Sequence, residues 1–368
     1  MKFKGIKISL ISLGIAVLAV AVGLIVWFAC RHTHQLEFVE GVEATCEEDG
    51  IESYWKCLEC KKLFSDVNAK NEISEPRTLN ALGHDFENLI YVCSRCGYVN
   101  ASTNLTFATS SDIHTGSYAL TGASEQDVVV LPTTYQGLPV TAIESGAIGD
   151  GITRVVIPKF DYLRITDGAF SSSVAEIYFM GSVDEWANFN FTARSWIGNT
   201  EHSLYVLNDD KTEWVKVENL TLSLENVAMY SFYGFDIVTL VLEDSVNQVN
   251  TSAFENCQNL ISVEIKDINI LGAMVFYGCT SLESVEISNS SSVAIINNQA
   301  FFGCLSLKTV LIPKSVTSIF RTAFYFCNSL TDVYYGGTET EWVENNLGDA
   351  FTSLSNVKFH YDAIGLIR

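Results

Sequence analysis

The sequence predicts a β-rich solenoid in which short parallel strands alternate with short helical turns. Four segments share one pattern in which Phe, Cys, Leu and Val follow each other at steps of three residues, and a β-branched or aromatic residue comes two positions later. The four copies are Phe254, Cys257, Leu260, Val263 and Ile265; Phe276, Cys279, Leu282, Val285 and Ile287; Phe301, Cys304, Leu307, Val310 and Ile312; and Phe324, Cys327, Leu330, Val333 and Tyr335. Their Val positions lie 22, 25 and 23 residues apart, which is the period of a structural repeat and not a catalytic spacing.

The last two positions of each copy predict a strand. Two apolar residues separated by one other residue point to the same face of a strand. One such unit cannot bury a core alone, so neighbouring units must stack. The repeated Leu, Phe and Cys are expected to complete the interior, because unpaired cysteine is among the most buried residue types. Bridging of neighbouring repeat cysteines remains an alternative.

Weaker copies of the pattern extend the repeat in both directions. They are Ile152, Val155 and Ile157; Val174, Ile177 and Phe179; Leu222 and Leu224; Ile237, Leu240 and Leu242; and, near the C-terminus, Leu354, Val357 and Phe359. The sequence therefore predicts nine stacked rows, with atypical rows at the ends as caps.

Two short helices are predicted beside the repeats. Ser182 stands three residues before Glu185, and Thr338 stands three residues before Glu341, which is the spacing of a helix capping box. Each helix would carry one tryptophan, Trp186 or Trp342, into the core. An exposed binding tryptophan is the alternative, although large aromatic side chains mostly bury their rings.

Three stretches of the repeats carry a family resemblance. They are Leu-Lys-Thr-Val-Leu-Ile-Pro-Lys-Ser-Val-Thr-Ser-Ile at 307–319, Thr-Ala-Phe-Tyr-Phe-Cys-Asn-Ser-Leu at 322–330, and Val-Val-Leu-Pro-Thr-Thr-Tyr-Gln-Gly-Leu-Pro-Val-Thr-Ala-Ile at 129–143. Residues 116–361 resemble the BspA-like leucine-rich repeats of bacterial and protozoan surface proteins. The resemblance implies a leucine-rich-repeat solenoid and a role in adhesion or protein interaction. The expected partner is an extracellular protein of a host, a matrix or a neighbouring cell.

An apolar segment precedes the repeats. Residues 8–30 contain no charged side chain over 23 positions, enough at about 1.5 Å per residue to cross a hydrocarbon core of about 30 Å. The bulky Trp27 and Phe28 before Ala29 and Cys30 favour an uncleaved anchor over a removable signal peptide or a lipoprotein junction. Lys2, Lys4 and Lys7 predict a cytoplasmic N-terminus, so we expect a single-pass cell-membrane protein with the bulk of its chain extracellular.

Between the anchor and the repeats, cysteines and histidines have the spacing of metal ligands. Two Cys-x-x-Cys pairs occur, and each can present two thiolates to one tetrahedral zinc ion. The expected metal ligands are His34, Cys46, Cys57 and Cys60 in a first unit and His84, Cys93 and Cys96 in a second, incomplete one. The first run resembles a small zinc-ribbon-like Cys/His repeat of Gram-positive surface proteins. Disulfides and idle thiols remain alternatives to structural zinc.

These observations divide the chain into four parts. The expected parts are a cytoplasmic stub and transmembrane anchor at 1–30, a zinc-ribbon-like unit at 31–76, a second Cys/His unit and linker at 77–105, and the leucine-rich-repeat solenoid at 106–368.

Charge and motifs exclude several functions. Without Lys2, Lys4 and Lys7 the chain has 19 basic and 43 acidic residues, a formal charge of −24. Nucleic acid and anionic lipid headgroups require basic patches, so neither is an expected partner, and the membrane is contacted only through the N-terminal helix. No nucleophile elbow, phosphate-binding loop or HExxH motif occurs. We expect neither an enzyme nor a small-molecule substrate; an open zinc site at His84, Cys93 and Cys96 is the one catalytic alternative.

A binding surface is expected on the outer face of the strands. The residues between the inward positions of each row are Val156, Tyr178, Val241, Glu264, Glu286, Leu311, Tyr334 and Lys358. Apolar and aromatic side chains near carboxylates are typical of a protein-binding patch. Alternatively the column is merely tolerated on an exposed sheet, and the protein is a structural or self-associating component of the cell envelope.

Overall fold

The structure is a computed structural model that describes residues 33–365, except residues 88, 90, 91, 111–115, 125, 126, 199, 200 and 209. The described residues up to His84 form one compact unit, and those from Asp85 onward form another. The anchor expected at residues 8–30 lies outside the described residues. Within the described part of the chain, no helix has the length and apolar character that a bilayer span requires.

The first unit consists of short antiparallel strands. The strands are β1 (Leu36–Val39), β2 (Gly50–Ile51), β3 (Tyr54–Cys57), β4 (Leu63–Phe64), β5 (Glu72–Ile73) and β6 (Thr78–Leu79). One sheet has the order β1-β3-β4-β5, and β2 pairs with β6. Phe64 and Cys57 are buried between the strands.

The second unit is built almost entirely from short strands. They are β7 (Leu105–Thr109), β8 (Tyr118–Ala123), β9 (Asp127–Val130), β10 (Thr134–Tyr135), β11 (Leu138–Ile143), β12 (Ile152–Ile157), β13 (Arg164–Ile165), β14 (Glu176–Phe179), β15 (Asn190–Phe191), β16 (Ser203–Leu207), β17 (Trp214–Lys216), β18 (Asn219–Leu222), β19 (Asn226–Val227), β20 (Thr239–Leu242), β21 (Gln248–Val249), β22 (Ser262–Ile265), β23 (Ile270–Leu271), β24 (Ser284–Ile287), β25 (Ile295–Ile296), β26 (Thr309–Ile312), β27 (Ser318–Ile319), β28 (Asp332–Tyr335) and β29 (Lys358–His360). Two α-helices, α1 (Val183–Ala187) and α2 (Glu339–Glu344), and a 3-10 helix (Leu347–Phe351) lie between them.

Stacked parallel strands form the solenoid that the repeats predict. Seven strands are hydrogen-bonded in the order β18-β20-β22-β24-β26-β28-β29, and β9, β12, β14 and β16 form a second parallel series that β17 closes in antiparallel. A further sheet has the order β15-β13-β11-β8-β7. Val263 is opposite Val285, which is opposite Val310, which is opposite Val333. The predicted solenoid fold and the register of its four clearest rows are confirmed.

The interior of the solenoid is a set of columns that run from row to row. Phe254, Phe276, Phe301 and Phe324 stack with ring centroids 5.7, 5.5 and 5.1 Å apart. The four repeat cysteines are fully buried in the same core, and none is disulfide-bonded. The prediction that they pack as small core side chains is confirmed.

Both predicted helices start at the expected capping boxes. The Ser182 hydroxyl accepts from the Glu185 N–H and the Glu185 carboxylate accepts from the Ser182 N–H; Thr338 and Glu341 do the same. Trp186 and Trp342 are 0% and 4% exposed. The tryptophans are therefore core residues, as expected, and not binding residues.

Four rows differ from the sequence prediction. In β18 the sequence predicts Leu222 and Leu224 as the inward residues, but the buried residues are Leu220 and Leu222. These two lie opposite Leu240 and Leu242. In β29, Phe359 and not Val357 is opposite Val333. The rows in β9, with buried Val129, and in β16, with buried Leu204, are not among the nine predicted rows. A shift of two residues keeps every side chain on its face, so hydrophobic alternation alone cannot detect it.

Candidate functional site

The outward face of the parallel series formed by β9, β12, β14 and β16 is partly covered by the chain itself. Leu89 and Val92, which precede the strands of this unit, form a buried cluster with Val130 and Val156, and Val99 packs against it. Val156 is only 2% exposed. The expectation that Val156 belongs to an accessible binding surface is therefore wrong, because a neighbouring segment occupies its outward face.

Next to this cluster lies a group of three aromatic side chains. The rings of Tyr178 and Tyr205 are stacked with centroids 4.6 Å apart, and Trp214 meets Tyr178 edge-on at 5.2 Å. The Tyr178 hydroxyl donates to Glu176 over 2.8 Å. Burial, and then the Glu176 carboxylate, raise the pKa of Tyr178. Sequence reasoning placed Tyr178 here but missed Tyr205 and Trp214, although the alternation of Ser203, Leu204 and Tyr205 was a usable signal.

The outward face of the seven-stranded sheet is open in its middle. Val241, Glu264 and Glu286 lie opposite one another on neighbouring strands and are half-buried. Lys266 forms an ion pair with Glu264. These three residues lie on the outward face, and their part in binding stays a prediction.

Towards the C-terminal end the same face is covered. Leu311 and Tyr334 are 1% and 7% exposed although their side chains point outward. The Ala363 N–H donates to the carbonyl of Tyr335 at the end of β28, and the Ala363 carbonyl accepts from Asn289, just after β24. The C-terminal segment thus crosses β26, which lies between these strands. The expectation that Leu311 and Tyr334 are accessible is wrong for this reason.

The last strand presents a different residue from the one expected. Lys358 is opposite Asp332, and His360 occupies the position opposite Tyr334, with the two rings stacked at 4.5 Å. The His360 Nε2 lies 2.8 Å from the Asp332 carboxylate. This contact is the largest cause of the lowered pKa of Asp332. Lys358 is exposed, but it lies in the column of Asp332 and not in the column of Tyr334.

In the first unit, three of the expected metal ligands come together. The potential donor atoms of His34, Cys57 and Cys60 all lie within 4.8 Å of one another, and the Cys60 Sγ is 3.5 Å from the His34 Nδ1. A tight turn after β3 positions the thiols, since the Lys61 N–H donates to the Cys57 carbonyl over 3.0 Å. Two sulfurs and one imidazole nitrogen are ligands that zinc prefers.

Cys46 does not join this group. The Cys46 sulfur lies within 4.8 Å of a ring nitrogen of His84, which belongs to the same unit. The Gly83 N–H donates to the Cys46 carbonyl over 3.0 Å, which brings the following residue towards Cys46. The nearness of Cys46 to Cys57 in the sequence therefore did not predict its neighbours correctly. The pairing of β2 with β6 brings the residues after β6 close to those before β2, where Cys46 lies.

In the second unit, Cys93 and Cys96 form a pair. Their sulfurs lie within 4.8 Å of each other, and Cys93 is 1% exposed. The Cys93 Sγ accepts from the Asp85 N–H over 3.3 Å, and the Gly97 N–H donates to the Cys93 carbonyl over 2.9 Å. Such a turn holds two sulfurs on one side, as a two-thiolate half of a metal site requires.

Comparison with known proteins agrees with this architecture. Residues 210–331 match the family model described as "BspA type Leucine rich repeat region", in six copies. This segment is therefore similar to a leucine-rich repeat region of BspA type. The matched residues contain β17 to β27, which include five strands of the seven-stranded sheet.

Several solved structures are similar to the chain at low identity. A T. pallidum leucine-rich repeat protein is 17% identical, with 69% of this chain and 96% of that chain covered and a TM-score of 0.35. A leucine rich cell surface protein from Faecalibacterium prausnitzii is 16% identical, with 72% and 95% covered and a TM-score of 0.28. The pneumococcal vaccine antigen PcpA is 12% identical, with 72% and 98% covered and a TM-score of 0.25. No curated protein gives a significant match. The assignment of the repeats rests on the residue pattern and the family model.

Proposed function

We propose that this chain is a membrane-anchored cell-surface protein whose leucine-rich repeats bind another protein outside the cell. The observation that carries the proposal is the filled interior of the solenoid. Columns of Phe, Cys, Leu and Val side chains run through it from row to row. Binding then has to use the outer surface, which the stacked rows extend along the solenoid. Repeat proteins use such extended surfaces to bind other macromolecules.

The composition supports this class of partner. A formal charge of −24 after residue 7 disfavours nucleic acid and anionic lipid headgroups. A similar structure from Faecalibacterium prausnitzii is described as a cell surface protein. The uncharged segment at 8–30 supplies an anchor for display outside the cell. We propose a non-catalytic role and adhesion as the biological use of the binding.

Binding to a panel of purified extracellular matrix and cell-surface proteins tests the proposal. The full chain, solubilised in detergent, is immobilised and each protein is titrated over it, with the detergent-treated surface as the blank. We expect saturable binding to at least one protein, and cleavage of the chain by protease added to intact cells. Absence of binding throughout the panel, together with concentration-dependent self-association in sedimentation velocity, would instead support a structural envelope protein.

We further propose that the first unit holds a structural zinc ion on His34, Cys57 and Cys60. Support comes from the donor types and from the spacing of their atoms. Six short strands, four of them two residues long, make a small core, and small units of this size commonly need a metal or disulfides for stability. When bound, zinc would fix the turn after β3 against the strand that follows His34.

A further inference from the structure

One position of the repeat requires a backbone conformation that suits glycine. Two residues after the core Phe of each row, the chain turns with φ between 61° and 75°. The residues at this position in five successive rows are Gly234, Asn256, Gly278, Gly303 and Phe326. Gly adopts a positive φ without strain, and Asn tolerates it better than most residues.

Phe326 is the exception among these five residues. Its φ is 65°, and a bulky side chain in this region is an outlier that costs free energy. The residue is also 56% exposed, so burial in the core does not repay that cost. A strained and exposed residue at a position where the other rows have Gly or Asn is a reason to look for a function at that place.

The ring of Phe326 continues a row of aromatic side chains. It meets the ring of Phe302, one row earlier, edge-on at 5.0 Å. Phe302 in turn is stacked on Tyr277 at 4.8 Å with an interplanar angle of 2°. We call Tyr277, Phe302 and Phe326 the aromatic ladder. Leu305, 48% exposed, follows Phe302 closely in the chain and adds apolar surface.

The chemistry of the ladder restricts what can bind there. Tyr277 and Phe302 lie face to face, so each ring covers one flat face of the other, which reduces the area on which a sugar ring could stack and leaves ring edges for contact. Apolar side chains of a protein segment can pack against such edges. A second copy of the chain would bring two bodies of formal charge near −24 together, whereas a basic partner is attracted by the same field.

We propose that the aromatic ladder is the docking site for a basic extracellular protein whose contacting segment carries apolar side chains. The inference rests on the proposed function, because it names the surface and the partner class for the protein binding proposed above. Apolar side chains pack on the ladder, and Lys or Arg residues of the partner interact with the acidic molecule and with the exposed ring of Phe326.

The variant Phe326→Gly gives a sharp test because glycine is the residue that three other rows have at this position. Removal of the ring relieves backbone strain, so we expect an unchanged or higher melting temperature. Phe320→Gly is the matched control, since Phe320 is an exposed phenylalanine, 47% accessible, outside the ladder. A fall of more than about 5 °C in the melting temperature of Phe326→Gly would assign the ring a structural role and overturn the proposal.

Dye-labelled peptides serve as probes, with the full chain in detergent titrated and anisotropy recorded. The first peptide alternates Arg and Leu, the second Glu and Leu, and the third Arg and Ser. We expect Phe326→Gly to bind the Arg-Leu peptide about tenfold more weakly than the unmodified chain, and Phe320→Gly to bind it equally. The unmodified chain should bind the other two peptides about tenfold more weakly than the first. Equal binding of the Arg-Leu peptide by Phe326→Gly, or equal binding of all three peptides, would overturn the proposal.

The extracellular protein panel separates this inference from the proposed function. If a panel protein binds the unmodified chain and Phe326→Gly equally, the ladder is not the docking site but the protein-binding function stands. If no panel protein binds while the Arg-Leu peptide still discriminates between the two variants, the ladder stands and the proposed function fails.

Discussion

The thiol of Cys279 donates a hydrogen bond to the backbone carbonyl of Phe254, one row earlier, over 3.2 Å. The other repeat cysteines do the same: Cys257 bonds Phe232, Cys304 bonds Phe276, and Cys327 bonds Phe301, over 3.1, 3.2 and 3.0 Å. Each cysteine therefore fills the core and also links its row to the row before it. Burial raises the pKa of the Cys257, Cys279 and Cys304 thiols, which keeps them protonated and able to donate.

Replacement of Cys279 by alanine should destabilise the solenoid by about 1–2 kcal/mol. The change removes a buried sulfur and a weak hydrogen bond and leaves a small cavity. Urea unfolding measures the loss, with Thr280→Ala, at the neighbouring half-buried position, as a control expected to change stability by less than about 0.5 kcal/mol.

The burial of the four repeat cysteines predicts that their thiols react with a thiol reagent only after unfolding. Rapid labelling of Cys279 in the folded chain would contradict the packing described here.

The repeats could be predicted from the sequence because their signal is redundant. Val263, Val285, Val310 and Val333 each stand in a pattern of five spaced residues, so an error at one position is corrected by the others. The outer rows carry only two or three of these apolar residues each, and in two of them the predicted register is shifted by two positions, at Leu220 and at Phe359. An alternation with a period of two residues identifies which side chains point inward. It does not identify which residue lies opposite which on the neighbouring strand.

The accessible surface was predicted less well because coverage depends on contacts between distant parts of the chain. Val156 has the outward position expected of it, yet Leu89 and Val92 cover it. The separation of Cys46 from Cys57 likewise follows from strand pairing between β2 and β6. Neither contact leaves a periodic signal in the sequence. Phe326 could have been noticed, since it replaces Gly or Asn in an otherwise regular column.

The stability of the second unit should fall below pH 6.5 because of His202. This side chain is 1% exposed, and the rings of Phe235 and Trp196 lie 4.2 and 5.9 Å from its own. Burial lowers the pKa of His202 to about 3, from a normal value of 6.5. The unfolded chain therefore takes up a proton between pH 6.5 and 3 that the folded chain does not. The resulting stability is fully present above pH 6.5 and is lost as the pH falls through this window.

The variant His202→Phe isolates this effect. One proton corresponds to a slope of about 1.4 kcal/mol per pH unit, or about 2 kcal/mol between pH 6.5 and 5, a range in which few carboxylates titrate. Urea unfolding at several pH values should show this slope in the unmodified chain and a flatter profile in His202→Phe. Parallel profiles would mean that the imidazole is not buried in its neutral form.

The zinc proposal for the first unit predicts a defined loss of metal. The full chain, purified in detergent without chelator, should lose about one equivalent of zinc when Cys60 is replaced by serine, because a hydroxyl is a poor zinc ligand. Elemental analysis by mass spectrometry measures the content. Cys279→Ala is the matched control and should retain the metal, since that thiol lies in the solenoid core. Less than about a tenth of an equivalent of zinc in the unmodified chain would refute the proposal.

The covered end of the seven-stranded sheet gives the last prediction, which compares two outward positions of the same column. Leu311 is 1% exposed beneath the crossing C-terminal segment, whereas Val241 is half-buried with no such cover. Leu311→Ser should therefore cost about 2–4 kcal/mol, because a buried isobutyl group is lost and a hydroxyl takes its place. Val241→Ser should cost about 1 kcal/mol or less, since its surface is already partly in water.

Urea unfolding midpoints measure both costs. Equal costs at the two positions would mean that residues 362–365 do not cover Leu311 in solution. If the costs differ as expected, a binding loss in Leu311→Ser cannot be attributed to a lost contact with a partner, and the outward column should be tested at Val241 and Glu264.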